Sequence, residues 1–127
     1  MPALTYLRFW RGLGWGMVAV VLALCLMPAP PQPPVVTSDK AHHLIAFAGL
    51  LFWWRSVSAR WWTPHVALLG FAILIEILQG TCTPNRRAEV ADVVADGIGL
   101  LCGEALFRTP LRHLLPWFDT QLYRLRS

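Results

Sequence analysis

The sequence predicts an all-α membrane protein, a bundle of four transmembrane helices followed by a C-terminal amphipathic segment at the interface. Three observations predict it. The 127-residue chain is 56% hydrophobic and 14% charged, where soluble domains carry about a quarter charged residues. Its apolar residues fall into four runs separated by short polar or proline-rich breaks. Most of its seven Trp lie at the ends of those runs, the headgroup level at which amphipathic rings settle. The net charge of +4 does not indicate nucleic acid, because the arginines flank apolar runs and form no basic module. A chain of this length makes one domain, residues 1–127.

The first helix is expected over residues 9–27. Residues 13–27 (LGWGMVAVVLALCLM) are apolar, and with Phe9 and Trp10 they approach the ~20 residues that cross ~30 Å of hydrocarbon. Arg8 and Arg11 before an apolar run also fit a signal peptide. The run ends in Met27-Pro28-Ala29-Pro30 with no convincing small-residue cleavage site, so a retained helix is preferred. Residues 28–34 (PAPPQPP) hold five of the ten prolines. They read as a stiff extended connector in preference to an SH3-type ligand. The second helix is expected over 41–57, with Ser38 as N-cap, Asp39 near its N-terminus, and Trp53, Trp54 and Arg55 at its far end.

Arg60, Trp61 and Trp62 then form an interfacial turn, and Pro64 opens the third helix, 64–80, which is apolar until Glu76. Residues 80–88 read as a loop containing Gly80, Pro84 and Asn85. The fourth helix, 89–107, is weak by hydropathy because it holds Asp92, Asp96 and Glu104, and its place beside three apolar runs argues for a span. Glu104 is expected to snorkel or to pair with Arg108 at i+4, and His65 and His113 to be interfacial. Trp53, Trp54, Trp61 and Trp62 read as an interface belt in preference to an aromatic ligand box. The tail, 109–127, spaces Leu111, Leu114, Leu115, Phe118, Leu122 and Leu125 helically, with Pro116 interrupting, as a broken segment lying on membrane lipid.

Alternating the loops places Arg8, Arg11, Arg55, Arg60, Arg108, Arg112, Arg124 and Arg126 on one side, and Lys40, Arg86 and Arg87 on the other. The positive-inside rule then puts both termini in the cytoplasm and the polar motifs outside.

Those motifs concentrate between residues 76 and 103, which carry Gln79, Arg86, Arg87 and four of the seven carboxylates (Glu76, Glu89, Asp92 and Asp96). Carboxylates in apolar helices are costly unless they pair, hydrate or protonate. Glu89, Asp92, Asp96, Gly99 and Gly103 recur at 3-4-3-4 spacing, one stripe on a helix, and Gly99-x-x-x-Gly103 lets a second backbone approach. Glu76 and Gln79 share a face at i, i+3, and Lys40 and His43 enter from the second helix. Arg86 or Arg87 is placed to pair with Asp92 or Glu76.

Three readings are open. One is a structural ion-pair network. Another is a binding or catalytic site with Glu76 and His43 as acid and base, and Asp39, Lys40, Gln79, Arg86, Asp92 and Asp96 contacting a ligand. The third is a cation site using His43 and carboxylates, weakened because adjacent His42 and His43 cannot face one centre. No metal and no cofactor is assigned. Cys25, Cys82 and Cys102 lack metal spacing, and a Cys25–Cys82 pair is a minor alternative.

At these residues the chain resembles the VanZ-like family of small bacterial membrane proteins. The matching elements are Asp39-Lys40-x-x-His43-x-x-x-Phe47, Glu76-x-x-Gln79, Pro84-x-Arg86 and Asp92-x-x-x-Asp96-x-x-Gly99-x-x-x-Gly103, together spanning residues 38–103. Asp96 departs from the pattern, the family often having Asn there. The resemblance implies a multi-pass protein of the bacterial cytoplasmic membrane. It also implies a link to teicoplanin-type glycopeptide resistance or to a lipid-linked envelope precursor. The alternatives are a non-catalytic assembly or accessory protein and, more weakly, a small transporter. Expected partners are membrane lipid and such an envelope molecule, with homo-oligomerisation open and nucleic acid excluded.

Overall fold

The computed structural model describes residues 4–27, 36–82 and 90–126, with the side chains of 36–39 and 82 outside the description. All regular structure among them is helical. The elements are α1 (Leu7–Leu26), α2 (Val36–Val57), α3 (Thr63–Cys82), α4 (Val90–Phe107), a 3-10 turn (Pro110–His113) and α5 (Leu114–Arg126). Among the described residues, two helices are long and apolar enough to cross a membrane, α1 over Leu7–Leu26 and α3 over Thr63–Thr81.

The α2–α4 pair is the most extensive contact in the fold. The two helices run parallel in one register: Lys40 meets Asp92, His43 meets Asp96, and Arg55 meets Glu104. Glycine sets the spacing. A Cβ on Gly99 would lie 2.5 Å from the Leu44 carbonyl oxygen, and one on Gly103 2.5 Å from that of Ala48. Any side chain there would push the backbones apart. Phe47, Leu50 and Leu51 of α2 then pack with Leu68, Ala72 and Ile75 of α3 and Leu100 of α4, while Met17, Val18, Val21 and Leu22 of α1 close one side.

α4 turns its acidic and small residues inward, burying Asp92, Asp96, Gly99, Gly103 and Glu104. Val90, Val94, Ile98 and Leu101 of the same helix are exposed. Apolar outside and polar inside is the reverse of a water-facing helix.

At the other end, Trp10, Val57 and Leu115 form a second apolar cluster. Asp119 of α5 reaches into it and accepts hydrogen bonds from Thr5 N (2.8 Å), Tyr6 N (2.9 Å) and Trp10 Nε1 (2.9 Å). Tyr6, the N-cap of α1, supplies no side-chain cap of its own among the described residues. Asp119 therefore caps α1 from the far end of the chain, placing negative charge at a helix N-terminus. Trp53 Nε1 donates to the Trp10 carbonyl at 2.9 Å and Arg11 Nε to the Val57 carbonyl at 3.1 Å.

Several sequence expectations need correction. α2 starts at Val36, not at residue 41, so Ser38 and Asp39 lie within helical backbone and Ser38 is no N-cap. α3 continues past Gly80 to Cys82. Pro116 does not break the tail: it is the third residue of α5, in the first turn, where no intrahelical N–H is required. The break falls earlier, at the 3-10 turn that Thr109 caps through Leu111 N.

The tail also docks Leu115 and Asp119 inward, while Leu111, Leu114, Trp117 and Phe118 stay exposed. Trp53 and Trp54 pack against α1, a Cβ on Gly14 meeting Trp54 at 2.8 Å, so they join helices and are not simply belt residues. The Cys25–Cys82 pairing falls on a side chain outside the described residues.

Candidate functional site

The polar residues singled out in the sequence converge at the end of the bundle where α2 and α4 begin and α3 ends. The shared register brings Lys40 Nζ to 2.8 Å from Asp92 Oδ1 and His43 Nδ1 to 2.9 Å from Asp96 Oδ1. Glu76 arrives from α3, and His43, Glu76 and Asp92 each offer a ligand atom within 4.8 Å of the others. All of these groups except Lys40 are buried, with His43 6%, Glu76 5%, Asp92 4% and Asp96 0% exposed.

Each helix places its group for a local reason. Lys40 and His43 stand at i, i+3, and Asp92 and Asp96 at i, i+4, so each pair shares a face. Gly99 presses on Leu44, the residue after His43, and so holds that turn of α2 against Asp96. The contact turns Nδ1 of the imidazole toward the Asp96 carboxylate.

The residues expected to bind ligand divide as follows. Lys40 is bound to Asp92 within the protein. Gln79, 1% exposed, directs its amide N–H to the Cys25 carbonyl at 2.8 Å and so ties α3 to the last turn of α1. The side chain of Asp39 and all of Arg86 lie outside the described residues. His42 is exposed while its neighbour His43 is buried, so the two histidines face apart as the sequence required.

A second polar group at the opposite end was read only in part in the sequence. Glu104 accepts from Arg55 Nε at 2.8 Å and His65 Nε2 at 2.8 Å, with Arg108 Nε at 3.6 Å. Arg55 also stacks over the Phe107 ring, 4.4 Å from its centroid. The expected Glu104–Arg108 contact is present but is the longest of the three, and His65 is a Glu104 partner, not merely interfacial. What the sequence missed were the partners Arg55 and His65, since a carboxylate in an apolar helix calls for more than one exposed cation.

At the α5 clasp, burial pushes the Asp119 carboxyl upward. The Thr5 N–H, the Trp10 indole and the Tyr6 N–H outweigh it and hold the group below its ordinary range.

Comparison of the chain with protein-family models, curated proteins and solved structures finds no match.

Proposed function

We propose that this chain is a VanZ-like protein of the bacterial cytoplasmic membrane, a four-span bundle with both termini inside and an outward-facing polar pocket. In this reading the pocket engages a teicoplanin-type glycopeptide or a lipid-linked envelope precursor. The observation that carries it is the burial of His43, Glu76, Asp92 and Asp96 together, from three helices, inside an otherwise apolar bundle. Groups so costly to bury mark functional sites in membrane helices.

The outward faces support four spans. α2 and α4 have 22 and 18 residues, about 33 and 27 Å of helix, against ~30 Å of hydrocarbon. Ile45 of α2 and Val94, Ile98 and Leu101 of α4 would meet lipid, and His43 of α2 and Asp92, Asp96 and Glu104 of α4 would not. The ends that hold Arg11, Arg55, Arg108 and Arg112 would lie in the cytoplasm. Lys40, with Arg86, would contact anionic groups, and Glu76 and His43 would serve as acid and base.

The test is binding of teicoplanin, and of a lipid-linked peptidoglycan precursor, to the purified chain in nanodiscs. Glu76→Gln and His43→Ala variants that keep the wild-type helical content should lose at least tenfold in affinity. Undiminished binding by both would sink the reading.

A second reading has its own support, the mutual pairing of Lys40 with Asp92 and His43 with Asp96. There the network only fastens α2 to α4, and the protein is a non-catalytic assembly or accessory partner. It requires any loss of phenotype to track the loss of folded protein in the membrane.

A further inference from the structure

We infer that His43, Glu76 and Asp92 form a binding site for one divalent first-row metal ion, with Asp96 orienting the imidazole from behind. This deepens the proposed pocket and rests on that reading for its biological use.

Four features carry it. One ligand comes from each of α2, α3 and α4, and their ligand atoms lie within 4.8 Å of one another in a buried site. Ligands at 2.0–2.2 Å from a shared tetrahedral ion stand about 3.5 Å apart, so side-chain adjustments of about 1 Å close the set. His43 Nδ1 is held by Asp96 Oδ1 at 2.9 Å. A carboxylate behind an imidazole is the outer-shell arrangement that fixes tautomer and ring direction in metal sites, and here Nε2 would be the nitrogen that meets the ion. Finally, the donor set is one imidazole with two carboxylates, which suits Zn²⁺ or Mn²⁺ better than Ca²⁺ or Mg²⁺.

The sequence left open a cation site using His43 and carboxylates, weakened because a two-histidine set could not form. The fold supplies one histidine and two acids, and three protein ligands leave a coordination position open. That position would face a phosphate or carboxylate of the envelope molecule. With an ion bound, His43 and Glu76 are ligands and not proton carriers, so the metal keeps the pocket and its envelope ligand but takes the place of the acid and base pair.

Lys40 stands against this and must be reckoned with, since its ammonium shares Asp92 at 2.8 Å. It competes with the ion for that carboxylate, and this separates the metal site from an anion site. Removing Lys40 should leave metal affinity equal or raised, whereas it should weaken the envelope molecule.

The experiment is titration of Zn²⁺ into the EDTA-treated chain in nanodiscs, with Ca²⁺ in parallel. The expected result is one Zn²⁺ per chain at micromolar affinity or tighter. Glu76→Gln and Asp92→Asn should each weaken it at least tenfold, Asp96→Asn tenfold to a hundredfold, and His42→Ala not at all. X-ray absorption at the zinc edge should show nitrogen and oxygen neighbours and no sulfur. No Zn²⁺ uptake by the wild type overturns the inference, as does a sulfur neighbour, dependence on His42, or unchanged affinity in both Glu76→Gln and Asp92→Asn. Loss of Zn²⁺ binding in variants that still bind the glycopeptide or precursor would uphold the metal and overturn the pocket's proposed function. The reverse result would overturn the metal alone.

Discussion

Gly99→Ala beside Gly97→Ala tests the α2–α4 contact on which the site depends. The two glycines lie two residues apart on α4 and differ in surroundings. A Cβ on Gly97 meets nothing within 4 Å, while one on Gly99 would lie 2.5 Å from the Leu44 carbonyl oxygen. That oxygen belongs to helical backbone and cannot rotate away. Carbon–oxygen contacts between helices relax at about 3.3–3.6 Å, so α2 and α4 must part by about 1 Å. Overpacking of this kind costs about 1–3 kcal/mol, while alanine regains up to about 1 kcal/mol of helix propensity at either position.

Gly97→Ala should thus be neutral or stabilising by up to ~1 kcal/mol, and Gly99→Ala destabilising by ~0–2 kcal/mol net of that gain, which leaves it ~1–3 kcal/mol less stable than Gly97→Ala. The same displacement would stretch His43–Asp96 from 2.9 Å to nearly 4 Å, beyond hydrogen bonding. The assay is reversible unfolding in mixed detergent followed by tryptophan fluorescence, with the His43 ring proton followed by NMR. Equal stabilities for the two variants, with the ring proton unmoved in Gly99→Ala, would refute the proposed contact.

Asp119→Ala removes three hydrogen bonds to one buried carboxylate. It should cost about 2–4 kcal/mol and expose the Trp10 indole N–H to hydrogen exchange. Because the native pKa of Asp119 is lowered from 3.8, its contribution is complete above about pH 4 and is lost as the pH falls through the native value. An acid titration of stability in which wild type and Asp119→Ala converge at low pH checks the sign. Glu104→Gln should cost about 2–3 kcal/mol. This is less than the 3–5 kcal/mol of a fully buried pair, because Arg55 and His65 are 19% and 22% exposed. Denaturation in detergent at pH 7 reads it, and a stability equal to wild type would show that the cluster does not hold the helix ends.

How much was legible follows from which forces are local. The α4 stripe could be read because 3-4 spacing alone puts Asp92, Asp96, Gly99 and Gly103 on one face, and burial of all four agrees. The split between His42 and His43 was legible for the same reason. Lys40–Asp92 and His43–Asp96 were not, because they depend on the α2–α4 register, which a tertiary contact fixes at Gly99 and Gly103. Asp119 escaped notice because its three donors are more than 100 residues away in the chain. The tail was misread because Pro116 was weighed by identity and not by its place in the helical first turn.

The register carries a further consequence. Hydropathy averaged over α4 counts residues that never meet the solvent, and the outward face of Val90, Val94, Ile98 and Leu101 is what a bilayer would sample. Meanwhile Lys40 and Arg55, fifteen residues apart on α2 and so ~22 Å along its axis, each meet an acid of α4 at 2.8 Å. Sliding α2 past α4 would break both pairs together and drive Leu44 and Ala48 off the only surface, among the described residues of α4, cut back to glycine on that face. The Glu104 cluster therefore does more than tie one end: by fixing the slide coordinate at a distance, it holds His43 opposite Asp96. A change at Arg55, which touches no residue of the polar pocket among the described contacts, should loosen the imidazole there, and a merely local tie would leave it unmoved.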